Sequence, residues 1–253
     1  MADIFQNNKT LSSRDIHFIF EQTVLKFASS PLQTAIPPII LDIMSKRIEH
    51  TLLKMDATPS ELTTLCNETI LHGFRGVCCL PRYIAHCRSV LRGTEALVIS
   101  VVDFPLGGAT QRDVASLVRS AISDGADEVD MVLDVPSLKS GELNTVFERI
   151  ALVTEAASAR PVKVILETAC LTEPEIVTAC AIAGTAGAAF VKTSTGFASR
   201  GASIRDIEIM KAAVGDSMRI KASGGIKDAV FAKRLVDAGA DVIGTSAGPA
   251  CIA

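Results

Sequence analysis

Tryptophan is absent from this chain, tyrosine occurs once, at Tyr83, and aromatic residues make up 4% of the 253 residues. A core large enough for such a length therefore has to be built from Ala, Val, Ile and Leu. Cationic residues are not in excess either: 25 Lys and Arg stand against 28 Asp and Glu, a net charge of −3. That argues against nucleic-acid partners, because non-specific binding needs surplus Lys and Arg to displace phosphate counterions. Mean hydropathy is high at +0.35, yet no apolar run approaches the roughly 20 residues that span a bilayer. The opening MADIFQNNKT lacks the basic and then apolar regions of a secretory signal. The expectation is a cytoplasmic globular protein with no membrane partner.

Paired cysteine motifs are missing too. Seven cysteines, an odd number without any CxxC, give neither a disulfide framework nor a tetrahedral zinc site. They read as small buried hydrophobes. Cys78 and Cys79, adjacent on a strand, would face opposite sides, so one of them could line a central cavity. No GxxxxGK[ST] occurs and no GxGxxG follows a strand, which disfavours ATP and dinucleotides. No cofactor and no metal are expected.

What the sequence does contain is alternation. Eight short apolar runs recur, at 47-RIEHTLLK, 76-GVCCLP, 97-LVISVVDFP, 128-EVDMVLD, 162-VKVILETA, 190-FVKTST, 220-IKASGG and 242-VIGTSAG. Helical stretches separate them. Thr58-Pro-Ser-Glu61 opens one with an N-cap and an early proline, and Thr172-Glu-Pro-Glu175 repeats the device. SDGADE, AGTAGAAF and DAGADV each place a glycine just before a strand, where a helix C-cap requires it. Parallel βα units in this number predict an α/β fold, a closed TIM (β/α)8 barrel spanning residues 46–253. Residues 1–45 are expected to add one or two helices before the barrel. The last outer helix is expected to be shortened or absent, since little sequence follows Gly248.

Lone charges inside apolar strands carry the most information. Asp130, Lys163, Glu167, Lys192 and Lys221 fall on strands four to seven, and each is costly to bury unless paired. The plain explanation for any one of them is an ion pair or a side chain reaching out from a strand end. Side chains that converge at the C-terminal mouth of a barrel form an active site. A lysine attacks carbonyls when its amine is partly neutral near pH 7, which desolvation and a second ammonium promote. Lys192 and Lys221, on adjacent strands, are placed to do this, and Asp130 could move protons for them. The chemistry this suggests is an imine-forming lyase. Gly224, Gly225 and the Gly244–Gly248 segment lie after strands seven and eight, where barrels often bind phosphate. Ser223 and Ser246 could add hydroxyls there.

The ordered set IEHTLL, VCCLPRY, DFPLG, DEVDMV, KVILET, FVKTSTGF, KASGGI and IGTSAG, from about Lys46 to Gly248, resembles 2-deoxy-D-ribose-5-phosphate aldolases. The resemblance implies a class I, metal-independent aldolase on a TIM barrel, cleaving the phosphorylated sugar reversibly to acetaldehyde and D-glyceraldehyde 3-phosphate. It makes Lys192 the Schiff-base lysine, Asp130 the proton relay and Lys221 the second lysine. Gly196, Gly224, Gly225 and Ser246 match positions around the phosphate; Thr51 and Cys78 match the pocket lining. A homodimer is the family-level expectation. Four departures stand out. Glu49 replaces an aspartate, Asp103 stands where glycine or asparagine is common and adds negative charge near the mouth, Ala247 replaces a second serine, and the C-terminal tyrosine of some members is missing. None of them is expected to touch Lys192, Asp130 or Lys221. Other readings are a class I aldolase for a different sugar phosphate, a catalytically silent barrel that senses sugar phosphates, and a thiol-redox role for Cys78 and Cys79.

Overall fold

Each of the eight apolar runs forms a strand. The computed structural model describes residues 44–253; the expected N-terminal helical extension over 1–45 lies outside the described residues but for its last two. The strands are β1 (Ile48–Leu52), β2 (Gly76–Cys79), β3 (Leu97–Val102), β4 (Glu128–Val132), β5 (Val162–Ile165), β6 (Phe190–Lys192), β7 (Arg219–Ser223) and β8 (Val242–Thr245). Each is parallel to its sequence neighbour, and β1 pairs with β8, so the sheet closes into a barrel. Outside it lie α1 (Pro59–His72), α2 (Ile84–Val90), α3 (Gln111–Ser123), α4 (Val135–Lys139), α5 (Leu143–Ala156), α6 (Glu173–Thr185), α7 (Ile204–Val214) and α8 (Ala229–Asp237). Among the described residues the helices that follow β1 number eight, because α4 and α5 both lie between β4 and β5. After β8 the chain makes only a 3-10 turn, Pro249–Cys251. Among the described residues no helix is long and apolar enough to cross a membrane.

The helix boundaries follow from their residues. Thr58 and Glu61 form a reciprocal capping box at the start of α1, and Thr172 and Glu175 form another at α6. Gly125, Gly187 and Gly239 all take positive φ between a helix and the next strand. The period-two alternation of the strands then separates two environments. Val77, Cys79, Val98, Val129, Met131, Val164, Val191, Ile220 and Ile243 face outward and join the main core beneath the helices. Fully burying one such aliphatic side chain contributes about 1.5–3 kcal/mol, which lets a core almost without aromatics hold the barrel. Cys78 faces inward with Ile99, Val101 and Leu53 in a small apolar cluster. Along β4 to β7 the interior carries Glu128, Asp130, Lys163, Lys192 and Lys221, with the buried Phe190 ring among them. All seven cysteines are free, and only Cys170 is exposed.

Candidate active site

Closure of the barrel aims the strand charges at one another. In the register of the sheet, Asp130 pairs with Lys163, and Lys192 with Lys221. The Asp130 carboxylate is the hub: Oδ1 accepts from Lys163 Nζ at 2.9 Å, while Oδ2 accepts from both Lys192 Nζ at 2.9 Å and Lys221 Nζ at 2.6 Å. Gly244, facing inward on β8, makes room for this, since a Cβ there would sit 2.9 Å from Lys221 Cε. A second layer lies beneath. Lys163 Nζ is 2.6 Å from Glu128 Oε2, Arg75 donates to that oxygen at 3.0 Å, and Arg75 also bonds Glu49.

Glu49 requires a correction to the sequence reading, because its carboxylate bonds Lys221 Nζ directly. The longer side chain reaches from the base of β1 to Lys221, so this departure does touch a candidate catalytic group. Asp103 is also corrected. It takes a left-handed backbone, φ 52, which suits the glycine or asparagine common there. Its carboxylate is paired with Arg149 and accepts from Ala109 N–H, so it adds no free charge at the mouth.

The environment splits the protonation behaviour of the three lysines. Burial pushes the Lys192 amine below the usual lysine range; Asp130 opposes that shift and the Lys221 ammonium adds to it. Burial also disfavours charge on Lys221 and Lys163, but Asp130 and Glu49 outweigh it and raise both. Burial would raise the Asp130 carboxyl, yet Lys163, Lys192 and Lys221 together hold it well below the usual carboxylate range. A nucleophilic amine next to permanent ammonium groups is the arrangement that imine chemistry needs.

Above the lysines opens a cavity of 280 Å³ at the C-terminal mouth. Lys192, Lys221, Thr51, Gly196, Ser223, Gly224, Gly225 and Ser246 all line it. Gly196, Gly224 and Gly225 take φ of 90, 87 and 74, a conformation that leaves a concave backbone surface free of side chains. Two sequence expectations need revision here. Cys78 does not line the cavity; it is fully buried in the apolar cluster below. Ser223 lines the cavity, but its hydroxyl proton is given to the Ser194 carbonyl at 2.6 Å, so it offers no donor to a ligand.

Comparison with known proteins matches this framework along the chain. Residues 43–251 match the model of the DeoC/LacD family aldolases. The chain belongs to the DeoC/LacD aldolase family. A deoxyribose-phosphate aldolase of Brevibacillus brevis is 48% identical over 205 residues, 81% of this chain and 93% of the relative. One of Streptococcus pneumoniae is 46% identical over 209 residues, covering 83% and 95%. Among solved structures, a protein from Coccidioides immitis superimposes with a TM-score of 0.91 at 34% identity, covering 96% of this chain and 97% of that one. The tetrameric deoxyribose phosphate aldolase of Aeropyrum pernix gives 0.76 at 29% identity, over the same shares.

Sequence reasoning missed several groups that this family member brings to the site. Lys54 and Lys227 line the cavity beside the glycines; as isolated lysines after β1 and β7 they look like surface residues. Glu167, recognised as a buried charge, plays a structural part. It accepts from Thr195 N–H at 3.3 Å and bonds the Thr195 hydroxyl, fixing the loop that carries Gly196. Gly201 holds that loop against Gly224, where Ala202 N–H donates to the Gly224 carbonyl at 3.1 Å. A methyl group on Gly201 would overlap this carbonyl. Gly201→Ala is therefore expected to lower stability by about 1–3 kcal/mol through overpacking and to weaken binding of a phosphorylated ligand, measured by thermal unfolding and by KM. An unchanged KM would mean that the loop's position does not matter to the ligand.

Proposed function

We propose that this protein is a deoxyribose-phosphate aldolase, which reversibly cleaves 2-deoxy-D-ribose 5-phosphate to acetaldehyde and D-glyceraldehyde 3-phosphate. The observation that carries this reading is the buried Lys192 amine on the cavity floor, pushed toward neutrality and sharing the Asp130 carboxylate with Lys221. In the cleavage direction, the neutral Lys192 Nζ adds to the C1 aldehyde of the open-chain sugar. The carbinolamine takes up a proton relayed by the Lys221 ammonium and loses water to form the protonated imine; the final hydrolysis returns that proton. Asp130 accepts the proton of the C3 hydroxyl through water. The C2–C3 bond then breaks, its electron pair moving toward the imine nitrogen to give the enamine, and glyceraldehyde 3-phosphate leaves. Protonation at C2 and hydrolysis of the imine release acetaldehyde and restore the amine. Asp130 and Lys221 serve these proton transfers from opposite sides of one shared contact.

At the other end of the cavity, the backbone N–H groups around Gly196, Gly224 and Gly225, with Ser246, hold the phosphate, and Lys54 and Lys227 supply positive charge. This set of phosphate contacts makes no use of Ala247. The cytoplasm as location and assembly into a homodimer belong to the same reading, and mass photometry of the purified protein tests the second. The function itself is tested by borohydride trapping with acetaldehyde, followed by peptide mass mapping, and by a coupled assay for glyceraldehyde 3-phosphate. An adduct on Lys192 with turnover of deoxyribose phosphate supports the reading; an adduct elsewhere, or turnover only of another sugar phosphate, overturns it.

The role of Lys221 has a separate test. Its ammonium, held charged by Asp130 and Glu49, opposes a second positive charge on Lys192. In Lys221→Met that opposition is gone, so the Lys192 pKa rises and imine formation starts at higher pH, by about one unit, or tenfold in neutral amine. The pH profile of the trapping rate reads the shift directly. An unmoved profile would confine Lys221 to binding or proton transfer.

A further inference from the structure

Counting the charges buried beneath the cavity gives a result that the lysine pair alone does not. Three carboxylates face this space: Glu49 from β1, and Glu128 and Asp130 from β4. Four cations face it: Arg75 just before β2, Lys163 from β5, Lys192 from β6 and Lys221 from β7. The remaining polar neighbours do not change the balance. The Cys78 thiol on β2 is kept protonated, mainly by its burial. On β3 the inward residues are the apolar Ile99 and Val101, and on β8 Gly244 carries no side chain. Glu167 is bonded to Thr195 at the mouth, and Arg219 lies over the Phe190 ring, 4.1 Å from its centre. Lys54 and Lys227 stand at the cavity opening.

Three of the four cations each touch two carboxylates or more. Arg75 bonds Glu49 and Glu128, Lys163 lies within 4 Å of Glu49, Glu128 and Asp130, and Lys221 bonds Glu49 and Asp130. Lys192 touches Asp130 alone, on an oxygen already shared with Lys221. Three carboxylates neutralise three cations, so the buried group is electroneutral when Lys192 is an amine and carries an uncompensated charge when it is an ammonium. We propose that this network acts as one charge-balanced unit that selects Lys192 as the neutral lysine, with Glu128 and Lys163, which line no part of the cavity, as positioning residues for its protonation. The connection is physical: Glu128 holds Lys163, Lys163 holds Asp130 Oδ1, and Asp130 Oδ2 holds Lys192. Arg75 closes the network at the floor, 15% exposed.

The inference rests on Lys192 as the reacting amine, and its test separates the two claims. Adduct formation with acetaldehyde and cyanoborohydride is followed by mass spectrometry between about pH 5 and 10, a range that brackets a depressed lysine. Glu128→Gln removes a negative charge and keeps the shape of the side chain, so the midpoint of adduct formation falls by about one pH unit. Lys163→Met removes a positive charge, and the midpoint rises by a similar amount. The double variant restores neutrality and returns the midpoint toward that of the wild type. Loss of packing alone would not shift a midpoint in opposite directions or reverse on combination. Midpoints that stay fixed in Glu128→Gln and Lys163→Met, or shift the same way, overturn the proposal. If Lys163→Met does not fold, Glu128→Gln decides by itself: a lowered midpoint supports the network and an unmoved one refutes it. A wild type that forms no Lys192 adduct fails the aldolase reading instead.

Discussion

Lys192→Met is expected to form no trapped acetaldehyde adduct and to lose turnover by about 10^4-fold or more, the scale seen when a covalent nucleophile is removed. Methionine matches the length of the lysine stem but has no amine, so no imine forms and the retro-aldol step has no electron sink. The effect on stability should run the other way. Lys192 is buried, and its one carboxylate contact is on an oxygen that Lys221 also occupies. Replacing a buried, poorly compensated polar group with an apolar one of similar volume is often neutral or stabilising, by about 1–4 kcal/mol. Each kcal/mol corresponds to roughly 2–4 °C in Tm for a domain of this size. The variant should therefore melt at or above the wild-type temperature while being inactive. Residual turnover above about 1% of wild type, clearly outside the expected loss, would place the reacting amine elsewhere, with Lys221 the first alternative.

That combination of inactivity and retained stability shows where sequence is informative. Lys163, Lys192 and Lys221 are conspicuous because each is a charge with an apolar residue immediately before it in its strand, Val162, Val191 and Ile220, and period-two alternation sets it on the opposite face from that residue, toward the barrel interior. Asp130 follows by the same rule. Their partners are harder to see. Glu49 meets Lys221 across 172 residues of sequence, and only closure of β1 against β8 brings them together. Arg75 lies one residue before β2, outside the alternation that marks inward positions. Asp103 is visible as a charge, but its partner Arg149 is on α5, 46 residues away. Cys78 does lie on an inward face, yet its depth in the barrel depends on strand stagger, which the local sequence does not carry. Lys54 and Lys227 are ordinary exposed lysines until the loops bearing them are set around one cavity. Residue types on strands are thus legible, and distances between strands are not.

Asp130→Asn separates the imine from the proton relay. The amide keeps the size of the carboxylate but cannot take up a proton near neutral pH, and it brings no charge to the three lysine side chains around it. Turnover is expected to fall by about 10^2–10^4-fold, the usual contribution of a positioned general acid or base. Trapping at Lys192 should survive. With one carboxylate fewer, the buried group is more positive, so the Lys192 amine is held neutral to lower pH and the trapping midpoint moves down. Folding is expected to suffer, because Lys163 and Lys221 each lose a buried counter-charge, and breaking a buried pair costs about 3–5 kcal/mol. The variant should therefore be less stable than Lys192→Met although both are nearly inactive, a contrast that thermal melts resolve. If Asp130→Asn loses adduct formation together with turnover, Asp130 is needed to form the imine itself, through the carbinolamine, and the relay assigned to the C3 hydroxyl is wrong. If turnover persists near the wild-type rate, water or Lys221 carries the proton and Asp130 serves only to hold three lysines in place.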